Sequence, residues 1–508
     1  MVPNFYDRAH IIFNELIVAG EYHVLVDAVR IFNAIREHAP DATVDGPYKS
    51  TLQLQLPPGW APADEGKLAE ALIGLHVHTI VVVGSAMGDQ PSATATCVAA
   101  LLRAGASELI IRCPVESPET IVDAFADSNL KSLTVGAIFM PHVTPQWIAN
   151  YATLANGLAR CATLDHIGIE HPAFFSTWHP AIDSLARGAG PKLTSAHLLA
   201  PESQVQDHNR CLSDTMQLMK ALSRHPVTSI TAEVPTLDAL RLDLTFFVPF
   251  EKHPDLSHLD MTFGSIHITG KDELRIATNL LEFSAKCPRL THLACRVSNL
   301  TNTAEKLSKL QKKGGSIHQP AMGTATTAAM SAPGFKLQEL IIEDVLMPPD
   351  VSDAIVDELP RNTTLHKFTM DSCSSGLRST LGLNRLRGHP TLGDVSFSGH
   401  PSDYFFVDAH HKVYVFEERE PFESDDEEQA EFVLLFADDD DDLDTQNAAN
   451  AAFAPLKQHS RTFRPRLHAM MAENRRLQAL RVQGLDINAL NDDGVNVLLP
   501  AAVSANNG

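Results

Sequence analysis

One spaced phrase recurs along the chain: an apolar anchor, two variable positions, an apolar residue, one variable position, and a third apolar residue. Its copies are Val77/Ile80/Val82, Ala106/Leu109/Ile111, Leu130/Leu133/Val135, Leu164/Ile167/Ile169, Leu193/Ala196/Leu198, Val227/Ile230/Ala232, Leu256/Leu259/Met261 and Leu290/Leu293/Cys295. After an interruption it resumes at Leu337/Leu340/Ile342, Leu365/Phe368/Met370 and Leu392/Val395/Phe397, with a late copy at Leu477/Leu480/Val482. From Val77 to Leu290 the anchors step by 29, 24, 34, 29, 34, 29 and 34 residues. The end of each phrase alternates apolar and polar with period two, which predicts a half-buried strand. Stretches ahead of the anchors, such as Thr215 to Arg224 and Leu274 to Lys286, space apolar residues three and four apart, which predicts a helix.

A lone strand and helix cannot bury an apolar side, so such units must stack on their neighbours into a continuous core. The pattern resembles the leucine-rich repeat family, in its longer, ribonuclease-inhibitor-like strand-plus-helix units, over Leu68 to His400. The resemblance implies an α/β fold, a curved leucine-rich-repeat-like solenoid of short parallel strands and helices, with the variable strand residues on its concave side. It departs from the family after the strand, where Asn or Cys is usual: Pro172, Pro201, Pro235, Gly264, Ser298, Val345 and His400 stand there, and only Cys373 fits. A second column lies three residues before the anchor, at Cys161, His253, Cys287, Asn362, His389 and Asn474, with His225 displaced by one. These small or polar side chains are expected to satisfy free carbonyls at each helix-to-strand junction.

Regions outside the repeat complete the organisation. Residues 1–58 are expected to form an N-terminal helical cap or docking segment, with helix-like stretches at Tyr6 to Ala19 and Glu21 to His38 and a strand at Thr51 to Leu56. The solenoid is expected over 59–400, with 311–334 inserted as a flexible loop rich in small residues. Residues 401–450 read as a hairpin-like stretch, Tyr404 to Phe416, followed by an acidic linker. Residues 451–508 read as a C-terminal helical segment carrying the late repeat or a cap.

Composition narrows the function. The 508 residues carry a net charge of −22, which opposes attraction to phosphate backbones or anionic lipid, so neither nucleic acid nor membrane is an expected partner. Ser402 to Asn450 holds 17 acidic and 2 basic residues, so most of this charge is local. Seven scattered cysteines are too few for a disulfide scaffold and point to a reducing compartment. No signal peptide or apolar run of bilayer length is visible, so the expected location is the cytoplasm, or a host cell reached by a signal-peptide-independent route.

Enzymatic motifs are missing. The glycines of Val81 to Gly88 lack dinucleotide-binding spacing, and neither Gly-x-Ser-x-Gly nor His-Glu-x-x-His occurs. Some bacterial effectors that this architecture resembles append a cysteine-dependent ubiquitin ligase domain, yet the last cysteine here is Cys373, within a repeat. No catalytic residue, cofactor or metal is therefore assigned.

What the repeats offer is a surface. The variable strand positions form columns across neighbouring repeats, and His166, Glu170, His197, Thr231, Glu233, His258, Asp260, Thr262, His292, Arg296, Glu339, Glu343, Lys367 and Asp371 are the candidate partner-binding residues. His258 and His292 share a column and should stand about 5 Å apart on neighbouring strands. Two aligned histidines are fewer than the four ligands of a structural zinc. The expected function is a monomeric protein–protein interaction module that binds an unknown protein on the concave face, as a bacterial effector inside a host cell would. The alternative is an enzyme or effector whose activity lies in the N-terminal or C-terminal region.

Overall fold

The computed structural model describes residues 78–83, 95–137, 143–201, 204, 205, 207–234, 247–264, 275–297, 320–343, 345, 347–370, 383–396 and 467–483. It also describes backbone strands at 9–12, 15–19, 51–55, 237–238, 266–267, 403–407, 413–419 and 431–434. The chain divides into two compact units, Met1–Leu237 and Asp238–Gly508.

In the first unit the strands are β1 (Ala9–Ile12), β2 (Glu15–Ala19), β3 (Thr51–Gln55), β4 (Thr79–Val83), β5 (Glu108–Arg112), β6 (Ser132–Gly136), β7 (His166–Glu170), β8 (Ser195–Leu199) and β9 (Ser229–Val234). They lie side by side in chain order, parallel from β2 onward. Between them run α1 (Ala95–Arg103), α2 (Pro118–Phe125), α3 (Pro145–Gly157), α4 (Phe175–Arg187) and α5 (His208–Leu222). Local chemistry starts several of these helices. Thr144 accepts a hydrogen bond from the Trp147 N–H ahead of Pro145 at the first helical position, and Asp207 accepts one from the Arg210 N–H.

The second unit holds β10 (His258–Phe263), β11 (His292–Val297), β12 (Glu339–Glu343), β13 (Lys367–Met370) and β14 (Asp394–Ser396), again parallel and in chain order. Its helices are α6 (Ile276–Lys286), α7 (Pro320–Met330), α8 (Pro349–Glu358) and a helix over 467–482. A separate antiparallel sheet joins β15 (Asp403–Val407), β16 (Val413–Arg419) and β17 (Glu431–Leu434).

Parallel strands need crossovers, and crossovers of one hand along a sheet built in one direction place the connecting helices on one face. The phrase residues point to that covered face. From Ile80 to Val395 every anchor and strand-core position within the described residues is at most 3% exposed. Each Val, Leu, Ile, Phe or Met among these side chains contributes about 1.5–3 kcal/mol by leaving water. Val77 and Phe397 lie outside the described residues.

Four expectations change. Tyr6 to Ala19 was expected to be helical, but β1 and β2 form an antiparallel pair there, and β2 continues the parallel sheet through β3. The local sequences, His-Ile-Ile and Leu-Ile-Val, are rich in β-branched residues that favour strands. Glu21 to His38 lies outside the described residues. The small-residue insert contains helix α7 rather than a loop throughout; 311–319 lie outside the described residues. Its small residues serve close packing, since a Cβ on Gly323 would stand 2.7 Å from the Asp350 carbonyl of α8. The acidic stretch read as a linker contributes Glu417–Arg419 to β16 and all of β17.

The late repeat copy is not a strand. Leu477, Leu480 and Val482 fall in the helix over 467–482, and Val482 is 88% exposed. The residues that this helix buries are Leu467, Met471 and Asn474, spaced four and three apart as one helical face requires.

Candidate functional site

The junction column behaves differently from expectation. The Nδ1 of His253 accepts from the N–H groups of Asp255 and Leu256, at 3.3 and 3.1 Å. Asn362 Oδ1 does the same for Thr364 and Leu365, and His389 Nδ1 for Thr391 and Leu392. These groups thus hold amides entering the next strand. The cysteines bond carbonyls, but those of the anchors one repeat back rather than of a helix end: the Cys161 thiol donates to the Leu130 carbonyl, and Cys287 lies 3.9 Å from that of Leu256. His225 uses both ring nitrogens, accepting from the Leu193 N–H and bonding the Ile182 carbonyl. Asn474 bonds Leu386, Gly388 and Leu392 from the C-terminal helix. These residues are structural clamps. Burial pushes the thiols of Cys211 and Cys287 up to about 12 and 11, so they are not nucleophiles at neutral pH.

The opposite face of each sheet carries the candidate columns, and the strand registers match those expected. In the first unit Ser132, His166, Ser195 and Ser229 pair in succession, as do Thr134, Gly168, His197 and Thr231. In the second, the successions are His258, His292, Glu339, Lys367 and Asp394, then Thr262, Arg296 and Glu343. Asp371 lies outside the described residues.

The face in the first unit is more closed than a freely solvated sheet. Thr134 and Glu170 are 7% and 4% exposed. Glu170 receives both Nε and an Nη of Arg112, at 2.6 and 2.8 Å. Its hydrogen bonds, ahead of the opposing effect of burial, raise the Arg112 pKa. His166 Nδ1 lies 2.8 Å from Ser195 Oγ. His197, Thr231 and Glu233 are half-buried, and burial raises the Glu233 pKa. Arg112 was missed because the columns were started at Ser132; one further step back, by 24 residues, reaches Glu108 and Arg112 on β5.

The second unit gathers a denser cluster. The rings of His258 and His292 are stacked, with centroids 3.8 Å apart and planes 5° from parallel, closer than the strand spacing alone implies. His292 Nδ1 lies 2.8 Å from Glu339 Oε2, and Lys367 pairs with the other oxygen of the same carboxylate. Arg296 bridges Asp260 on β10 and Glu343 on β12, with its Nε 2.7 Å from Glu343 Oε2. Thr262 lies half-buried beside this bridge. Burial, then the neighbouring His292, lowers the His258 pKa, so the stack contains a neutral ring near pH 7. His258, Asp260 and His292 each offer a metal-ligating atom, all within 4.8 Å of one another.

Among the described residues no helix is long and apolar enough to cross a membrane. No family model and no curated protein matches the chain.

Proposed function

We propose that the chain is a leucine-rich-repeat-like module whose polar sheet face, the concave side of a curved solenoid, binds a protein partner. The observation that carries this reading is the alignment of polar and charged residues into columns on the face away from the anchors. Their ion pairs are partly desolvated before any partner arrives. Side chains held in this way lose less conformational freedom on binding than free ones do. The mixed charges around Arg296, Glu343, Glu339 and Lys367 favour a partner with complementary charges of both signs rather than a uniformly basic or acidic one.

A photo-crosslinking amino acid placed at Thr231 or Thr262 tests the reading, with exposed Lys220 on α5 as the control. A common protein captured from the face positions and absent from the control supports it. Equal capture at all three positions, or none at the face, removes it.

A further inference from the structure

We propose that His258, Asp260 and His292 form a binding site for a divalent transition-metal ion of the zinc(II) class, with Glu339 orienting His292 from behind. The inference does not rest on partner binding.

Three features carry it. First, the parallel register sets His258 opposite His292, and Asp260 two residues along β10 returns to the same face, which brings three ligand atoms within 4.8 Å. Second, Glu339 Oε2 engages His292 Nδ1 at 2.8 Å, which leaves Nε2 as the ligating atom. A carboxylate behind a ligating imidazole is the usual device for fixing its tautomer and raising its basicity. Third, among the described residues the bond from Arg296 to Asp260 uses Oδ1 alone. The other oxygen is thereby left for an ion.

The local charge permits a dication. Asp260, Glu339 and Glu343 face Arg296 and Lys367 from β10, β11, β12 and β13, so with neutral imidazoles the cluster carries one excess negative charge. Imidazole with carboxylate is a donor set that suits zinc, cobalt, nickel and copper better than calcium or magnesium. Three protein ligands leave a fourth position for water or for an incoming side chain. In the stacked arrangement the in-plane lone pairs of the two rings run parallel, so they do not meet at one point. Binding therefore turns at least one ring about its Cβ–Cγ bond and breaks the stack.

The test uses the full chain, stripped with chelator, titrated with zinc by calorimetry and with cobalt by visible absorption. The expected result is a ligand-field cobalt spectrum and one equivalent of zinc per chain that disappears in His258→Ala and His292→Ala. Glu339→Gln should weaken binding about 10–100-fold. Zinc should raise the unfolding temperature of the wild type and leave that of the two histidine variants unchanged. If an alanine variant does not fold, Asp260→Asn decides in its place, with the same loss expected. Absence of zinc and cobalt binding by the wild type overturns the site, as does equal binding by wild type and folded variants. The crosslinking result at Thr231 and Thr262 has no bearing on either outcome.

Discussion

Arg112 on β5 and Glu170 on β7 form a two-pronged ion pair that spans the strand between them, and Gly136 on β6 lies beneath it. A Cβ at position 136 would stand 2.7 Å from Glu170 Oε2 and 2.8 Å from its Cβ. The glycine is therefore the space in which the carboxylate sits. Gly136→Ala should cost about 1–3 kcal/mol, as overpacking does. In a Glu170→Gly background, which removes both of the clashing atoms, the same change should cost much less, and urea unfolding of the four proteins measures that coupling.

The junction clamps predict a second pattern. Asn362→Ala and His389→Ala each remove an acceptor from two backbone N–H groups at the entry to a strand. Each should cost about 1–3 kcal/mol, since a buried donor left without a partner bears its full desolvation penalty. Thermal or denaturant unfolding of the two variants checks the magnitude. Indistinguishable stabilities for variants and wild type would mean that water takes over the acceptor role.

His171 supplies a pH dependence with a definite sign. Its Nδ1 accepts from the Ala173 N–H, and burial lowers its pKa to about 4. The unfolded chain, with a histidine pKa of about 6.5, takes up the proton first. The contribution is thus fully present above about pH 6.5 and is lost as the pH falls toward 4, on the order of 2–3 kcal/mol from this group. His171→Asn keeps an acceptor but does not titrate, so its stability should fall less steeply over that range. The difference in slope between the two proteins is the readout.

The register predicts opposite outcomes for two similar changes. Leu259→Asp or Leu293→Asp puts an unpaired charge where the native side chain is 1% exposed, and should cost several kcal/mol. Val482→Asp, at a position 88% exposed, should fall within about 0.5 kcal/mol of wild type. If Val482→Asp were as damaging as Leu259→Asp, the helix over 467–482 would be the wrong assignment.

Much of the strand framework was legible because a period-two alternation declares which side chains face the core. The anchor spacing alone places Ser132, His166, Ser195 and Ser229 in one row, and His258, His292, Glu339 and Lys367 in another. The errors arose where the pattern fits two structures. Leu477, Leu480 and Val482 satisfy the strand phrase, yet Leu467, Met471 and Asn474 form the buried helical face; only neighbours at Leu386, Gly388 and Leu392 choose between them. Gly323 likewise reads as a loop signal, although its use is to let α7 approach α8.

By itself the sequence determined the repeating strand and helix, the side of each strand that is buried, and the rows of candidate residues, because these follow from local periodicity. Tertiary structure decided which members of those rows touch. The pairing of Arg112 with Glu170 over Gly136, the stacking of His258 on His292 and the bridge of Arg296 between Asp260 and Glu343 join residues 34 to 58 positions apart along the chain. Side-chain rotamers and charge partners across neighbouring strands select these arrangements. No local pattern encodes them, since each depends on what the adjacent strand presents at the same height.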